Sequence, residues 1–270
     1  MRTQDKTRFR KTVLLFYKDH FRPMPWREDP SPYHVFVSEI MLQQTSVERV
    51  LKKFSPFVER FPDFQSLAAA PLADVFTLWQ GLGYNRRARF MRDAARIIVD
   101  KYNGILPKEI SLLEELPGIG RNTAAAIIVY AWNIPVPYVE TNIRSIFIHH
   151  FFREKDDVTD NEILPLVAET LDQDDPRQWF WALMDYGADL KKRIGNTSRR
   201  SKTYRTQTPF HGSDRMVRGI IIRVLAENKK LSFDEILVRT DNDPRTEKIV
   251  ALLVREGLVC EKKGTYRIEK

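Results

Sequence analysis

Apolar residues recur at helical spacing from Val35 to Val50, and this pattern predicts a helix with one face in a core. One carboxylate, Glu39, interrupts the apolar pattern, and the polar residues Gln43, Gln44 and Thr45 follow one turn later. Since burial favours the neutral form of a carboxyl group, we expect the pKa of Glu39 to lie above its ordinary value. Such a carboxylic acid can donate a proton near neutral pH, whereas the alternative is a surface glutamate on a core helix.

A turn with two glycines, Leu116-Pro117-Gly118-Ile119-Gly120, lies between two segments with helical spacing of apolar residues. Because glycine permits a tight turn and a close backbone approach to a ligand, the pattern predicts a helix-hairpin-helix. The second helix begins with amide groups that helix hydrogen bonds do not use, and its positive dipole end favours an anion. We therefore expect the hairpin to bind phosphate; the alternative is an ordinary turn. The apolar residues are Leu112, Leu113 and Leu116 before the turn and Ala124, Ile127, Ile128 and Ala131 after it.

Residues 214–270 change pattern, with three helical segments followed by two β-like runs. This order resembles a winged helix, which binds duplex DNA through its third helix and its wing, or docks a protein. Candidate DNA contacts are Arg245, Lys248, Lys262 and Lys263. The predicted helices are Arg215–Ala226, Ser232–Leu237 and Pro244–Arg255, and the predicted strands are Leu258–Glu261 and Thr265–Ile268.

Composition adds a positive charge that suits a polyanionic partner. Lys and Arg number 44 against 36 Asp and Glu, which gives a formal net charge of +8 and a pI near 9.5. No run of about 18 apolar residues predicts a membrane helix. The charged N-terminus lacks the apolar segment of a secretory signal, so we expect a soluble cytoplasmic protein associated with the nucleoid.

Six short motifs occur in the order in which helix-hairpin-helix DNA glycosylases carry them. Over about residues 8 to 195 the chain most resembles the MutY type, the adenine glycosylases that remove adenine mispaired with 8-oxoguanine. The motifs are Pro25-Trp26-Arg27, Ser38-Glu39-Ile40-Met41-Leu42-Gln43-Gln44-Thr45, Gly81-Leu82-Gly83-Tyr84, Leu116-Pro117-Gly118-Ile119-Gly120, Thr141-Asn142-Ile143-Arg144 and Met184-Asp185-Tyr186-Gly187-Ala188.

The resemblance implies an all-α glycosylase fold of two helical subdomains, followed here by a small α+β winged helix. A helical barrel would span about residues 30–135, and residues 1–29 with 136–195 would form the second bundle. Residues 196–213 are polar and basic without apolar periodicity, which predicts a linker before the winged helix of residues 214–270.

Two carboxylates match the chemistry that the resemblance implies. Breaking an N-glycosidic bond requires a proton on the leaving base and negative charge beside the developing sugar cation. By resemblance Glu39 is the proton donor. Glu140 occupies the position of the family's aspartate, where it would stabilise the cation and position water, although its extra methylene displaces the carboxylate. The alternative role for Glu140 is to cap the helix that begins beside it.

Base recognition is also implied by the resemblance. Trp26, Arg27 and Asp185 would touch the extruded base, with Asp185 accepting a hydrogen bond from an exocyclic amine. Trp132 replaces a pocket tyrosine, so it would reshape the cavity or fill core. Asn122 stands where endonuclease III relatives have the lysine that forms a Schiff base, and an amide cannot be that nucleophile. A monofunctional enzyme without strong lyase activity follows.

The same motifs supply candidate contacts to the duplex. Gln44 and Tyr84 would wedge into the gap that the flipped base leaves. Arg86 and the basic segment after the MDYGA-like motif would contact phosphates, or would be solvated instead. The full set is Gln43, Gln44, Thr45, Tyr84, Arg86, Gly118, Gly120, Arg121, Asn122, Thr123, Arg199, Arg200 and Lys202.

Cofactor expectations follow from the cysteine count. Family members commonly hold a [4Fe–4S] cluster with four cysteines, whereas this chain has one cysteine, Cys260, so no cluster and no other cofactor is expected. The adjacent His149 and His150 face different sides of a helix and lack partner ligands, so no metal site is expected there. The resemblance allows a monovalent cation at the hairpin. No segment matches the Nudix-like domain of MutY enzymes, so the preferred opposite base stays open.

The resulting hypothesis is a monofunctional DNA glycosylase of base excision repair that hydrolyses the N-glycosidic bond of a flipped purine, with adenine in a mispair first. Its partner would be duplex DNA with a damaged or mispaired base, and it would act as a monomer. Two alternatives stay open. One is a glycosylase for an alkylated or deaminated base; the other is a non-catalytic DNA-binding protein on the same scaffold.

Overall fold

The computed structural model describes residues 3–206 and 208–269, and most of these residues are helical. The fold is thus the predicted all-α architecture with a small C-terminal sheet. The helices are α1 (Thr3–His20), α2 (Pro25–Glu28), α3 (Pro32–Leu42), α4 (Val47–Arg60), α5 (Phe64–Ala69), α6 (Leu72–Trp79), α7 (Arg86–Tyr102), α8 (Ile110–Glu114), α9 (Arg121–Trp132), α10 (Thr141–Phe151), α11 (Asp160–Thr170), α12 (Pro176–Ile194), α13 (Asp214–Asn228), α14 (Phe233–Arg239) and α15 (Thr246–Arg255). The strands are β1 (Leu231–Ser232), β2 (Val259–Lys262) and β3 (Thr265–Ile268).

The chain divides into two compact units, each built from separate segments. Among the described residues, the first contains residues 3–35, 108–114 and 120–206, and the second contains residues 36–107, 115–119 and 208–269. This division differs from the predicted subdomains, because α9 packs against α8 and α12 and so belongs to the first unit. It also assigns the C-terminal residues to the same unit as α4 to α7. Gln207, inside the predicted linker, lies outside the described residues.

An aromatic core holds the first unit together. Helices α1 and α10 both pack against α12. The buried Phe9 ring meets Phe147 edge-on at 5.3 Å between centroids and Trp179 at 6.0 Å. Such edge-to-face pairs add to the stability gained from burial alone. Helix α12 begins with Pro176 at its first position after the cap Asp175, which suits a helix start.

Residues 196–202 form an ordered segment where the sequence predicts a linker. The Asn196 side chain caps a short 3-10 helix, Thr197–Arg200, by accepting from the Ser198 amide at 3.2 Å. Thr197 Oγ1 donates to the Ser145 carbonyl of α10 at 2.7 Å, and Ser201 forms a parallel bridge with Val158. Short polar side chains satisfy backbone groups locally here, so the segment is ordered without any apolar periodicity.

The C-terminal module, residues 208–269, is a winged helix with one strand more than predicted. Its antiparallel sheet has the order β1-β3-β2, with Val259 opposite Ile268 at one end and Leu231 pairing with Tyr266. Strand β1 is two residues long, which is too short for a period-2 pattern. The third helix of the module begins at Thr246, with Arg245 as its N-cap, whereas the sequence predicts a start at Pro244.

The C-terminal module packs against other helices of the second unit, to which it belongs. Helix α13 lies against α6. Arg218 of α13 forms an ion pair with Glu256, and Arg89 of α7 donates to the Glu256 carbonyl. The end of α15 is therefore tied to α13 and to α7 together.

We expect His150 to make the stability of the protein sensitive to mild acid. Its Nε2 lies 2.9 Å from the Tyr186 hydroxyl, and burial, with smaller contributions from His149 and Arg153, lowers the pKa of His150 from 6.5 to about 4. Because the unfolded chain binds the proton first, the free energy of unfolding falls as pH drops from 6.5 towards 4. His150→Gln should lose less thermal stability than the wild type between pH 7 and pH 5, followed by circular dichroism.

The exposed His211 offers the control for this prediction. His211→Gln should keep the wild-type dependence of Tm on pH. Equal losses of Tm in His150→Gln and the wild type would show that His150 does not couple protonation to unfolding.

Candidate functional site

Glu39 is the one residue between Val35 and Met41 that is not buried. Its neighbours Ser38 and Ile40 are each only 1% exposed, whereas Glu39 is half-buried on α3. Helix α3 therefore carries a partly exposed carboxylate residue within an otherwise buried segment. This placement suits a proton donor, and the raised pKa expected for Glu39 stays a prediction.

Arg87 joins two loops that carry predicted wedge residues. One is residues 43–46 between α3 and α4, and the other is residues 80–85 between α6 and α7. It is buried, and burial lowers the pKa of its guanidinium to about 10. The basic pair Arg86-Arg87 after Tyr84 suggests a loop that contacts a phosphate backbone, whereas Arg87 is buried and does not offer its side chain to such a contact. Its guanidinium instead donates to acceptors in α3 and both loops, namely the carbonyls of Ile40 (2.8 Å), Met41 (2.9 Å), Gln43 (2.5 Å), Leu82 (3.1 Å) and Gly83 (3.1 Å) and the Thr45 hydroxyl (2.9 Å).

The wedge candidates Gln44 and Tyr84 both have left-handed backbone conformations, with φ of +54° and +48°. Such conformations are unfavourable for residues other than glycine, so surrounding contacts must hold them. Thr45 Oγ1 donates to the Leu82 carbonyl at 3.1 Å, and the Trp79 indole donates to the Gly83 carbonyl at 2.9 Å. Thr45, predicted to contact DNA, thus links the two loops. Gln44 is exposed and Tyr84 is half-buried.

Gly118 lies where two features of the structure disfavour a side chain. Its φ is +79°, and a Cβ there would lie 3.0 Å from the Phe90 Cβ. Its carbonyl accepts from Gln43 Nε2 at 3.1 Å, so the first glycine of the hairpin is tied to the Gln44 loop. Arg86 is exposed beside the same region, with its guanidinium 5.2 Å from the centroid of the Phe90 ring.

Gly120 is the N-cap of α9 in the first unit. A Cβ on Gly120 would meet no atom of a non-neighbouring residue within 4 Å, so the surface beside this glycine is open. Arg121 is exposed and pairs with Glu114 at 3.3 Å, and Thr123 is half-buried. The Asn122 side chain donates to the Val139 carbonyl at 2.7 Å. Asn122 therefore anchors the residue that precedes Glu140.

Glu140 is the N-cap of α10. Its Oε1 accepts from the amides of Asn142 at 2.5 Å and Ile143 at 2.9 Å. Desolvation raises the pKa of Glu140 above its ordinary value, although the amides of Ile143 and Asn142 act in the opposite direction. The capping role foreseen as the alternative is thus present. Both of these hydrogen bonds use Oε1, and a catalytic role of Glu140 stays a prediction.

Arg27 and Asp185 form a buried ion pair in the first unit. Arg27 Nη1 and Nη2 donate to the two oxygens of Asp185 at 2.8 and 3.0 Å, and the two side chains are 4% and 1% exposed. Arg22 adds hydrogen bonds from its amide and its Nε at 3.2 and 2.7 Å. Asp185 was expected to accept from the base; its oxygens are instead engaged by arginines, so its nearest effect is to orient Arg27.

Two aromatic candidates lie on different helices of the same unit. Trp26 is buried on α2 beside Arg27. Trp132 is half-buried at the end of α9, and Lys108 Nζ lies 5.8 Å from the centroid of its ring. The Arg27 guanidinium lies 5.5 Å from the centroid of the Trp181 ring, and no sequence motif had singled out Trp181.

The basic residues predicted to contact DNA differ in exposure and in their ion pairs with acidic groups of the protein. Arg200 pairs with Asp156 at 2.8 Å and also donates to the Phe152 carbonyl at 2.6 Å, whereas Arg199 and Lys202 are exposed. In the module, Arg245 pairs with Asp243 at 2.7 Å. Lys248, Lys262 and Lys263 are exposed.

Metal ligands do not gather among residues 3–206 and 208–269: no group of three or more His, Cys, Asp or Glu could hold a metal ion there. The one cysteine of the chain, Cys260, lies on β2, and four thiolates are needed for a [4Fe–4S] cluster. Within the same residues no helix combines the length and apolar character required to cross a membrane.

Sequence reasoning missed Arg22 and the role of Arg87 as a link between loops. Arg22 lies 163 positions before its partner Asp185, and Arg87 lies more than 40 positions after its acceptors on α3. Periodicity gives no signal for such pairs. The one hint was the position of Arg22 close to the Pro25-Trp26-Arg27 motif.

Known proteins resemble this chain in sequence and in fold. Residues 37–169 match the family model described as HhH-GPD superfamily base excision DNA repair protein. An adenine DNA glycosylase of Mycolicibacterium smegmatis is 34% identical, with 91% of each chain covered. One from Buchnera aphidicola is 35% identical over 67% of this chain but only 52% of its own length. The solved structure of a thermostable thymine-DNA glycosylase aligns with a TM-score of 0.63 at 21% identity, covering 73% of this chain and 92% of that chain.

Proposed function

Because this chain belongs to the HhH-GPD superfamily of base excision DNA repair proteins, we propose that it is a monofunctional DNA glycosylase acting on a purine flipped from duplex DNA. Adenine is the first substrate to consider, because the matched relatives are adenine DNA glycosylases. The observation that carries the proposal is Glu39, the single partly exposed residue in the buried run from Val35 to Met41.

In the proposed reaction, Glu39 transfers its proton to a ring nitrogen of the purine as the bond between that base and the sugar C1′ breaks. Water then adds to C1′ and loses a proton, which restores the acid. Negative charge beside C1′ lowers the energy of the cationic transition state. Glu140 is the proposed source of that charge, with Oε1 fixed by the cap of α10.

Recognition of the base is assigned to Arg27 and Trp26. Asp185 and Arg22 support this role by holding the Arg27 guanidinium in one orientation. An amide at position 122 supports a monofunctional reaction, because it cannot form the Schiff base on which strand cleavage depends.

Contact with the duplex is assigned to the loops that Arg87 joins and to the start of α9. Gln44 and Tyr84 would fill the space left by the flipped base. The first-turn amides of α9, with an open surface beside Gly120, would bind a phosphate. The formal net charge of +8 supports binding that weakens as salt rises. Lys262 and Lys263 of the wing are candidates for further phosphate contacts.

A substrate panel tests the proposal. Single-turnover base release, followed by alkaline cleavage, would be measured on duplexes with adenine opposite 8-oxoguanine or guanine. Hypoxanthine, ethenoadenine, alkylated purines, uracil and thymine mispairs complete the panel. Release of adenine alone supports the first substrate, and release of another base supports the second candidate, favoured by glutamate at position 140. Duplex binding without base release from any member of the panel would support the remaining alternative, a non-catalytic DNA-binding protein on the same scaffold.

Glu140→Gln separates the cap from catalysis. The glutamine Oε1 can still accept from the amides of Asn142 and Ile143, so Tm should fall only slightly. The negative charge is lost, and we expect single-turnover release to slow by about 100-fold or more. An unchanged rate, with Tm preserved, would mean that Glu140 is a cap alone.

A further inference from the structure

We propose that Arg215 of the C-terminal module positions Tyr84 for insertion into the duplex, so that the module acts in base extrusion. This inference rests on the proposed function, and it deepens it by assigning the module a part in the step before bond cleavage. It differs from the sequence expectation, in which the module binds DNA through its third helix and wing.

A direct contact joins the two residues. Arg215 Nη1 donates to the Tyr84 hydroxyl at 3.1 Å, and the guanidinium carbon lies 5.8 Å from the centroid of the Tyr84 ring. Nη2 of the same side chain donates to the Thr208 carbonyl at 2.5 Å. The guanidinium is therefore fixed from within the module while it holds the tyrosine.

Tyr84 is held at its backbone by different residues. Arg87 donates to the carbonyls of Leu82 and Gly83, and its guanidinium lies 5.5 Å from the Tyr84 ring. Arg87 thus fixes the loop, but its hydrogen bonds do not reach the hydroxyl at the end of the side chain. Arg215 supplies that contact, so backbone and side-chain orientation depend on two separate arginines.

Packing presents Arg215 to the loop in a defined place. It lies in the first turn of α13, and α13 packs against α6. Helix α6 ends at Trp79, just before the loop that carries Tyr84. The ion pair of Arg218 with Glu256 and the hydrogen bond from Arg89 to the Glu256 carbonyl tie the module to the same unit.

This arrangement has a physical consequence for extrusion. A side chain that fills the gap in a base stack loses rotamer freedom when it enters, and orienting it beforehand lowers that cost. The positive charge of Arg215 beside the ring also adds attraction to the phosphates around the gap. Both effects act on base extrusion and leave the subsequent proton transfer from Glu39 unchanged.

Four variants test the proposal: Arg215→Met, Arg215→Lys, Tyr84→Phe and the double variant Arg215→Met/Tyr84→Phe. Base extrusion would be followed by the fluorescence of 2-aminopurine placed at the target position of a duplex, alongside duplex affinity and single-turnover release. We expect extrusion to weaken by about tenfold in Arg215→Met and in Tyr84→Phe, as for loss of a charge-assisted hydrogen bond. The double variant should be no weaker than either single variant, and Arg215→Lys should recover part of the signal.

Arg223→Met is the matched control, because Arg223 is an exposed arginine of the same helix. Its extrusion signal should equal that of the wild type. Tyr84→Phe leaves the module unaltered, so it keeps the test valid where Arg215→Met lowers Tm. Wild-type extrusion in both single variants, or additive losses in the double variant, would overturn the proposal, as would a wild type that gives no fluorescence change.

Failure of the proposed function has a different signature. Absence of base release from every duplex, with extrusion that still depends on Arg215, would remove the glycosylase assignment and retain the role of Arg215. If the wild type releases a base and Arg215→Met releases it at the same rate with the same extrusion signal, the proposed function would stand and the role of Arg215 would be removed.

Discussion

Glu39→Gln is expected to slow base release by about 100- to 10,000-fold while the fold and duplex binding persist, because a general acid contributes a factor of this size. Glutamine matches glutamate in size, so the buried neighbours Ser38 and Ile40 keep their packing. An amide cannot deliver the proton that the departing purine requires. The measurement is single-turnover release from the substrate that the panel identifies, with duplex affinity and Tm recorded on the same preparation.

Glu48→Gln provides the control for this prediction, since Glu48 is exposed on the following helix, α4. It should release base at the wild-type rate. Release by Glu39→Gln within a few-fold of the wild type would remove Glu39 as the proton donor. If duplex affinity fell by the same factor as the rate of base release, Glu39 would have a role in DNA binding rather than in proton donation.

Asp185→Asn should produce the largest loss of stability among these substitutions. The change leaves the Arg27 guanidinium, only 4% exposed, without its buried negative partner. Breaking such a buried pair costs about 3–5 kcal/mol, which corresponds to a fall in Tm of about 10 °C for a protein of this size. Base release should also fall, because Arg27 loses the partner that orients it. Thermal denaturation and single-turnover release measure the two effects.

Asp189→Asn is the matched control on α12. Asp189 pairs with Arg193 one turn away, but the two side chains are 31% and 54% exposed. Exposed pairs of this kind contribute about 0.3–0.5 kcal/mol, so Tm should barely change. If both variants lost the same small amount of stability, Asp185 would not be an energetic anchor of the first unit.

The two arginine clusters assign separate tasks to the two units. In the first unit Arg22 and Arg27 converge on Asp185 and shape the proposed base-recognition region. In the second unit Arg87 and Arg215 converge on Tyr84 and shape the proposed wedge. Substitutions in the first cluster should therefore affect which base is released, whereas substitutions in the second should affect how readily a base leaves the duplex.

Local chemistry explains what the sequence alone determined. The positive φ of Gly118 favours glycine, and a Gly-containing turn between apolar helices already indicates such a conformation. Glu39 stands out because a carboxylate within an apolar helical pattern is rare. The alternation and turn residues after position 257 likewise predicted both strands of the wing hairpin. Each of these signals lies within a few residues, where propensity and periodicity act.

Tertiary structure decided which charged groups are buried and what they hold. Arg87 and Arg86 are adjacent and identical in type, yet one is a buried link between loops and the other is exposed. Asp185 could accept from a base until Arg22 and Arg27, more than 150 positions away, are folded against it. Residues 196–213 were predicted to be a linker, and part of that stretch, residues 196–202, is held by a hydrogen bond from Thr197 to Ser145 and a backbone bridge between Ser201 and Val158. Sequence pattern records local preference, whereas the partners of a buried polar group are set by the packing of distant segments.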